Sequence, residues 1–215
     1  MKFNECNQLA CFTIGYSNHK TQKLLTLLKL HNIQYVLDVR SVPYSQRNPQ
    51  YNRENIKLNL EENNIHYIFI GNLLGARYDN PDLYFFDKQV VDFKKIRKLD
   101  SFKQGTKSVM NHLEQKHNIV LMCSEKDPFN CHRFVLISYS LVKQGISVKH
   151  ILDNGDILLN DSLEERLISK YKINYKQQTF FKKNKTKKEA IEKGYLLRNI
   201  DIGYSNDKVI NIMGQ

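Results

Sequence analysis

Long apolar runs are missing from this chain of 215 residues. None approaches the roughly 20 residues that a membrane-spanning helix needs, so no membrane partner is expected. The opening "MKFNECNQLACF" is too polar for a secretory signal, and a cytoplasmic protein is expected. Cysteine is scarce as well. Cys6, Cys11, Cys123 and Cys131 are too few to staple a chain of this length with disulfides. In a reducing compartment they should be free thiols, with catalytic, metal-binding or packing roles. Acidic residues are also in short supply, 22 against 33 Lys and Arg, for a net charge of +11. The deficit is local. Residues 1–169 hold 22 basic against 18 acidic residues, whereas residues 170–198 hold 10 against 2. The basic character therefore belongs to an appendage rather than to the fold.

Against these absences stands an ordinary hydrophobic fraction of 41%, enough to bury a real core. The first 152 residues alternate strand-like and helix-like patterns. "CFTIGYS" (Cys11–Ser17), "IQYVLDVR" (Ile33–Arg40), "IHYIFIG" (Ile65–Gly71), "NIVLMC" (Asn118–Cys123) and "SVKHIL" (Ser147–Leu152) read as strands. Helical spacing fills the intervals near Lys20–Asn32, Arg53–Asn64, Val90–Lys98, Lys107–Lys116 and Cys131–Gly145. Residues 72–89 read as a long irregular loop. This alternation predicts an α/β fold: a mostly parallel sheet of about five strands flanked by helices, flavodoxin-like or a related doubly wound order. A core domain over residues 1–152 and a basic helical or irregular extension over residues 153–215 are expected.

Within the extension, Asp161–Tyr171 reads as a helix with an Asp or Ser cap. The segment 170–198 interleaves lysines with Tyr171, Tyr175, Phe180, Phe181 and Tyr195. It is either a solvated appendage or a nucleic-acid contact, with lysines on phosphates and aromatics for stacking. "IGYSN" occurs twice, at Ile14–Asn18 and at Ile202–Asn206, with diverging flanks. The recurrence is read as chance or as two similarly built strand ends.

Parallel α/β sheets bind ligands at the carboxyl ends of their strands. Tyr16 and Ser17 follow the first strand. Asp38, Arg40, Ser41, Arg47 and Asn48 end or follow the second, and Arg77 follows the third. "CSEKDPFNCHR" follows the fourth, with Cys123, Glu125, Cys131, His132 and Arg133. The fold should gather these groups on one rim. Alternation puts Asp38 and Arg40 on one face, where they form either a structural ion pair or a catalytic acid with its neighbour. Arg40, Arg47 and Arg133 are expected to bind an anion near a helix N-terminus. A cysteine at that position, Cys131, gains thiolate character. The spacing is neither that of a cysteine phosphatase nor a glycine-rich phosphate loop. Cys123, Cys131 and His132 offer a zinc set with a fourth group such as His19. Adjacent Cys–His ligands are unusual and a second cysteine pair is lacking, so no metal and no cofactor is expected.

Taken together, Thr13–Ser17, Asp38–Ser41, Pro43, Ser45, Asn48, Pro49, Tyr51, Leu74–Arg77, Cys123, Glu125, Pro128 and Cys131–Arg133 resemble the bacterial and archaeal family called domain of unknown function 488. The resemblance spans about residues 12–152, with Ala76 in place of a usual glycine. It implies an α/β fold and a shared polar site, adds an association with DNA repair or modification, and leaves the reaction open.

The first functional expectation is an enzyme acting on a phosphate-bearing substrate, a nucleotide or nucleic acid, by hydrolytic or glycosidic chemistry. Asp38 or Glu125 would be the acid or base, or Cys131 the nucleophile with His132 beside it. Tyr16, Ser17, Arg40, Ser41, Arg47, Asn48, Arg77, Cys123 and Arg133 would bind the substrate. The alternatives are a non-catalytic nucleic-acid-binding module and a thiol-based sulfur-transfer or redox protein.

Overall fold

All five residues of strand β4 (Ile119–Cys123) are buried, four of them with no exposed surface. A run covered on both sides is what a central parallel strand requires. In the computed structural model, which describes residues 9–175, 186–207 and 209, β4 lies between β1 (Ala10–Gly15) and β2 (Tyr35–Asp38). The sheet is completed by β3 (His66–Phe69), β5 (Ser147–Ile151) and β6 (Ile157–Leu159), in the order β3-β2-β4-β1-β5-β6. The first five strands are parallel and β6 runs antiparallel to β5. This is a doubly wound α/β sheet, but its order is not the flavodoxin order 2-1-3-4-5.

Period-two alternation divides the strands between two cores. Val36, Val120 and Met122 face a layer built by α1 (Thr21–Leu30) and α2 (Arg53–Glu61), which bury Leu24, Leu28, Ile56 and Leu60. Leu37, Leu121 and Cys123 face the opposite layer. That layer contains α3 (Gly71–Leu74), α4 (Phe93–Ile96), α5 (Asp100–Glu114) and the helix running through a π turn, Arg133–Ser138, into α6 (Tyr139–Lys143). Gly145, at φ +84°, ends that helix in a conformation that suits glycine.

The expected break at residue 152 does not coincide with a break in the packing. β6 adds an edge strand, and α7 (Asn160–Lys170) and α8 (Lys187–Ile202) place Leu163, Leu167 and Tyr195 in the same core as β4. Thr186 and Glu189 form a capping box at the start of α8, reciprocally satisfying backbone donors. The rest of the basic stretch is only partly visible, because residues 176–185, with Phe180 and Phe181, lie outside the described residues, as does Cys6. Among the described residues no helix is long and apolar enough to cross a membrane.

Candidate functional site

The carboxyl ends of β1, β2 and β4 open into one polar cavity of about 570 Å³. Close backbone approach makes it possible. A Cβ on Gly15 would lie 1.8 Å from the Glu125 carbonyl oxygen, so only glycine lets the loop after β4 rest on the end of β1. The Ser17 amide then donates to the Ser124 carbonyl at 2.7 Å. Gly71 likewise allows the chain after β3 to touch the Arg40 carbonyl. Ser41 Oγ accepts from the amides of Ala76 and Arg77 at 2.9 and 3.1 Å, tying a third loop to the same rim.

Tyr16, Ser17, Arg40, Ser41, Asn48 and Arg77 line this cavity, as do Cys123, Glu125, Cys131 and His132. Most of the expected rim is therefore assembled. Three expected members are not part of the wall. Arg133 is fully buried, and its guanidinium donates to the carbonyls of Glu125 and Lys126 at 2.6 and 3.1 Å. It ties down the loop that carries Glu125. Arg47 lies outside the lining. Asp38 has no exposed surface. It is held by the Arg40 guanidinium, Nη2–Oδ2 2.5 Å, and accepts from Tyr67 Oη at 2.7 Å. Of the two readings of that pair, the ion pair is the one the geometry fits. Arg40 also donates from Nη1 to Tyr16 Oη at 3.0 Å, and Tyr16 stacks on Tyr51 with ring centroids 3.8 Å apart.

At the floor of the cavity lies a compact cluster. Cys123 and Cys131 donate their thiols to Glu125 Oε2 at 2.8 and 3.1 Å. Both sulfurs lie 3.8 Å from His132 Nδ1. His132 Nε2 sits 3.0 Å from the Val39 carbonyl. A carbonyl only accepts, so Nε2 carries a proton and Nδ1 is the ring nitrogen that faces the sulfurs. Burial alone would raise the Glu125 carboxyl, but the thiol donors and the nearby His132 outweigh it and hold the group at about 2. Burial and the neighbouring Cys131 push the Cys123 thiol well above its ordinary range. Both thiols are thus held as hydrogen-bond donors to one carboxylate oxygen.

Several contributors were not among the expected site residues. Ile202, at the end of α8, and Tyr204, just past it, reach the cavity, and Tyr44 and Asn130 also line its wall. The two "IGYSN" copies are thus not two strand ends: one closes β1 and the other follows α8, yet Tyr16 and Tyr204 line the same cavity. The tail is also tied to the loop after β4. Arg198 is buried, donates from Nε to the Phe129 carbonyl at 3.0 Å and bonds to Asn130. Arg198 and Arg166 lie over the Phe129 ring at 4.5 and 4.1 Å. Replacing Arg198 with methionine should lower stability by about 1.5–3 kcal/mol, the scale of a hydrogen bond to a charged group. The shift in urea midpoint measures it, and an unchanged midpoint would mean that the loop stands without the clamp.

No curated protein and no solved structure matches the chain. Residues 20–140, more than half its length, match the model of the family described as Domain of unknown function DUF488, and the chain belongs to that family.

Proposed function

We propose that this protein is a hydrolytic enzyme whose substrate carries phosphate, a nucleotide or a nucleic-acid end, and that the reaction takes place in the rim cavity. The observation that carries this reading is the composition of the cavity wall. Two guanidiniums, Arg40 and Arg77, and one carboxylate, Glu125, face a shared space ringed by serine and tyrosine hydroxyls and amide side chains. Glu125 is the only carboxylate in that wall among the described residues. A wall with more cations than anions suits an anionic guest. Arg77 is exposed and carries its charge over the Tyr204 ring at 5.4 Å, free to swing onto phosphate. Glu125 accepts a hydrogen bond from an attacking water and orients it, and Arg40, fixed by Asp38 and Tyr16, meets developing negative charge.

The test uses the full chain with a panel of nucleotides and single-stranded oligonucleotides. Glu125→Gln is expected to lower turnover at least about 100-fold while leaving binding in place. Arg77→Ala is expected to weaken binding and to reduce the steepness of its salt dependence by about one phosphate contact. Salt-sensitive binding with no turnover of any panel member by the unaltered chain would replace this reading with a non-catalytic nucleic-acid-binding module.

A further inference from the structure

We infer that Cys123, Cys131, His132 and Glu125 form a site for one tetrahedrally coordinated transition metal, with zinc the best fit. The four ligand atoms, two Sγ, Nδ1 and a carboxylate oxygen, all lie within 4.8 Å of one another. A tetrahedral zinc with bonds of about 2.3 Å to sulfur and about 2.0–2.1 Å to nitrogen places sulfur and nitrogen about 3.6 Å apart. Both sulfurs stand 3.8 Å from Nδ1, so each sulfur–nitrogen pair is already spaced for the ion. The carboxylate sits closer, at 2.8 and 3.1 Å from the sulfurs, and must withdraw by roughly 0.5–0.8 Å to meet the same spacing. It is free to do so. Glu125 is exposed on the cavity side, whereas both cysteines are buried beneath it.

The surroundings are arranged as metal-binding histidines require. His132 gives its Nε2 proton to the Val39 carbonyl, which fixes the tautomer and aims Nδ1 at the sulfurs. Arg133 holds the Glu125 carbonyl from behind. The alternative fourth ligand, His19, is paired with Asp153 instead. Soft thiolates with one imidazole select zinc over magnesium or calcium, which prefer all-oxygen shells.

The binding step balances simply. One Zn²⁺ replaces the two thiol protons, which leave to solvent. The product holds two thiolates, a neutral imidazole and a carboxylate around the ion, with net charge −1. Glu125, on the open side, is the ligand that a water or a substrate oxygen displaces. The inference does not depend on the proposed substrate, because metal binding is read without turnover.

The experiment is cobalt and zinc titration of the chelator-treated, reduced full chain. One cobalt per chain should bind, with thiolate-to-cobalt charge-transfer absorption and the visible bands of a tetrahedral ion. Zinc should displace it and raise the thermal midpoint. Cys131→Ser and Cys123→Ser should abolish the charge-transfer band. Their losses in affinity should exceed the roughly 10–100-fold seen when only a hydrogen-bond partner behind a ligand is removed. Glu125→Gln should keep the band at reduced affinity, and Cys11→Ser, outside the cluster, should leave it unchanged. If the cysteine variants do not fold, the unaltered chain still decides, since zinc must release protons and displace cobalt at one equivalent. No charge-transfer band from the unaltered chain, or a band that survives loss of both Cys123 and Cys131, would overturn the inference.

Discussion

Asp38→Ala should destabilise the protein by about 3–5 kcal/mol, the cost of removing one partner from a buried ion pair. Asp38 has no exposed surface and Arg40 retains 4%. Without the carboxylate, three guanidinium contacts and the Tyr67 hydroxyl lose their acceptor together. Water cannot replace it cheaply, because Asp38 has no exposed surface and its partner Tyr67 belongs to the core covered by α1 and α2. Tyr67→Phe removes only one donor and should cost about 1.5 kcal/mol. Exchanging both charged members, Asp38→Leu with Arg40→Met, should cost less than the sum of the single changes, since no orphaned charge remains. Chemical denaturation of these variants and of the two single changes measures all of this. The same series separates a structural role from a catalytic one. If Asp38→Asn keeps full stability yet loses turnover, the residue is an acid or base in the reaction and not the anchor of Arg40.

The strands were legible because each is a short apolar, β-branched run bounded by polar residues, and the buried parallel sheet needs such runs. The gathering of strand ends was legible for a topological reason: in a parallel sheet, loops far apart in sequence share one edge. Arg133 was misplaced because adjacency in sequence says nothing about direction. His132 turns into the cavity, while the next side chain passes behind the loop to its carbonyls. The last third was hardest to read. β6 has three residues, too few to show a period. The buried positions of α8 are Ala190, Gly194, Tyr195, Arg198 and Asn199. Their spacing is helical, but hydrophobicity does not mark the face. Gly194 is there to let the helix press on Leu167, and the polar members are buried by bonding to the core. Surrounded by lysines, that stripe looks like a solvated appendage. The Thr186–Glu189 pair was the one local signal of a helix start. The metal-type cluster was half legible. Two cysteines and a histidine stand out as a set, but a carboxylate two residues after Cys123 reads as an acid–base group, and only the folded loop brings it onto both sulfurs.

Stability should fall steeply in mild acid, and His150 should account for much of the slope. Its ring is fully buried in β5, with Nδ1 2.8 Å from Thr13 Oγ1 and Nε2 3.4 Å from Asn160 Oδ1. The hydroxyl donates to Nδ1 and the ring donates to the amide oxygen, a pattern that only the neutral imidazole satisfies. Burial, and then the positive charge of Arg133, depress its pKa from 6.5 to about 3. The direction of the effect follows. Above about 6.5 both folded and unfolded chains carry a neutral ring and the group contributes no pH dependence. Below that value the unfolded chain takes up a proton that the folded chain refuses. The folded state then loses about 1.4 kcal/mol per pH unit until the folded group itself titrates. Over the whole window the loss approaches about 5 kcal/mol, a large share of the stability of an ordinary domain. His112, beside His117 under Tyr35, is shifted the same way by burial and by its neighbour, and adds to the slope. Urea denaturation of the native chain and of His150→Gln between pH 7 and pH 4 tests this. The glutamine keeps a donor and an acceptor but does not titrate, so its curve should be flatter by more than about 1 kcal/mol per unit. Parallel curves would mean that the imidazole is solvated or protonated in the folded protein, and that the Thr13–His150–Asn160 chain is not the neutral network its geometry describes.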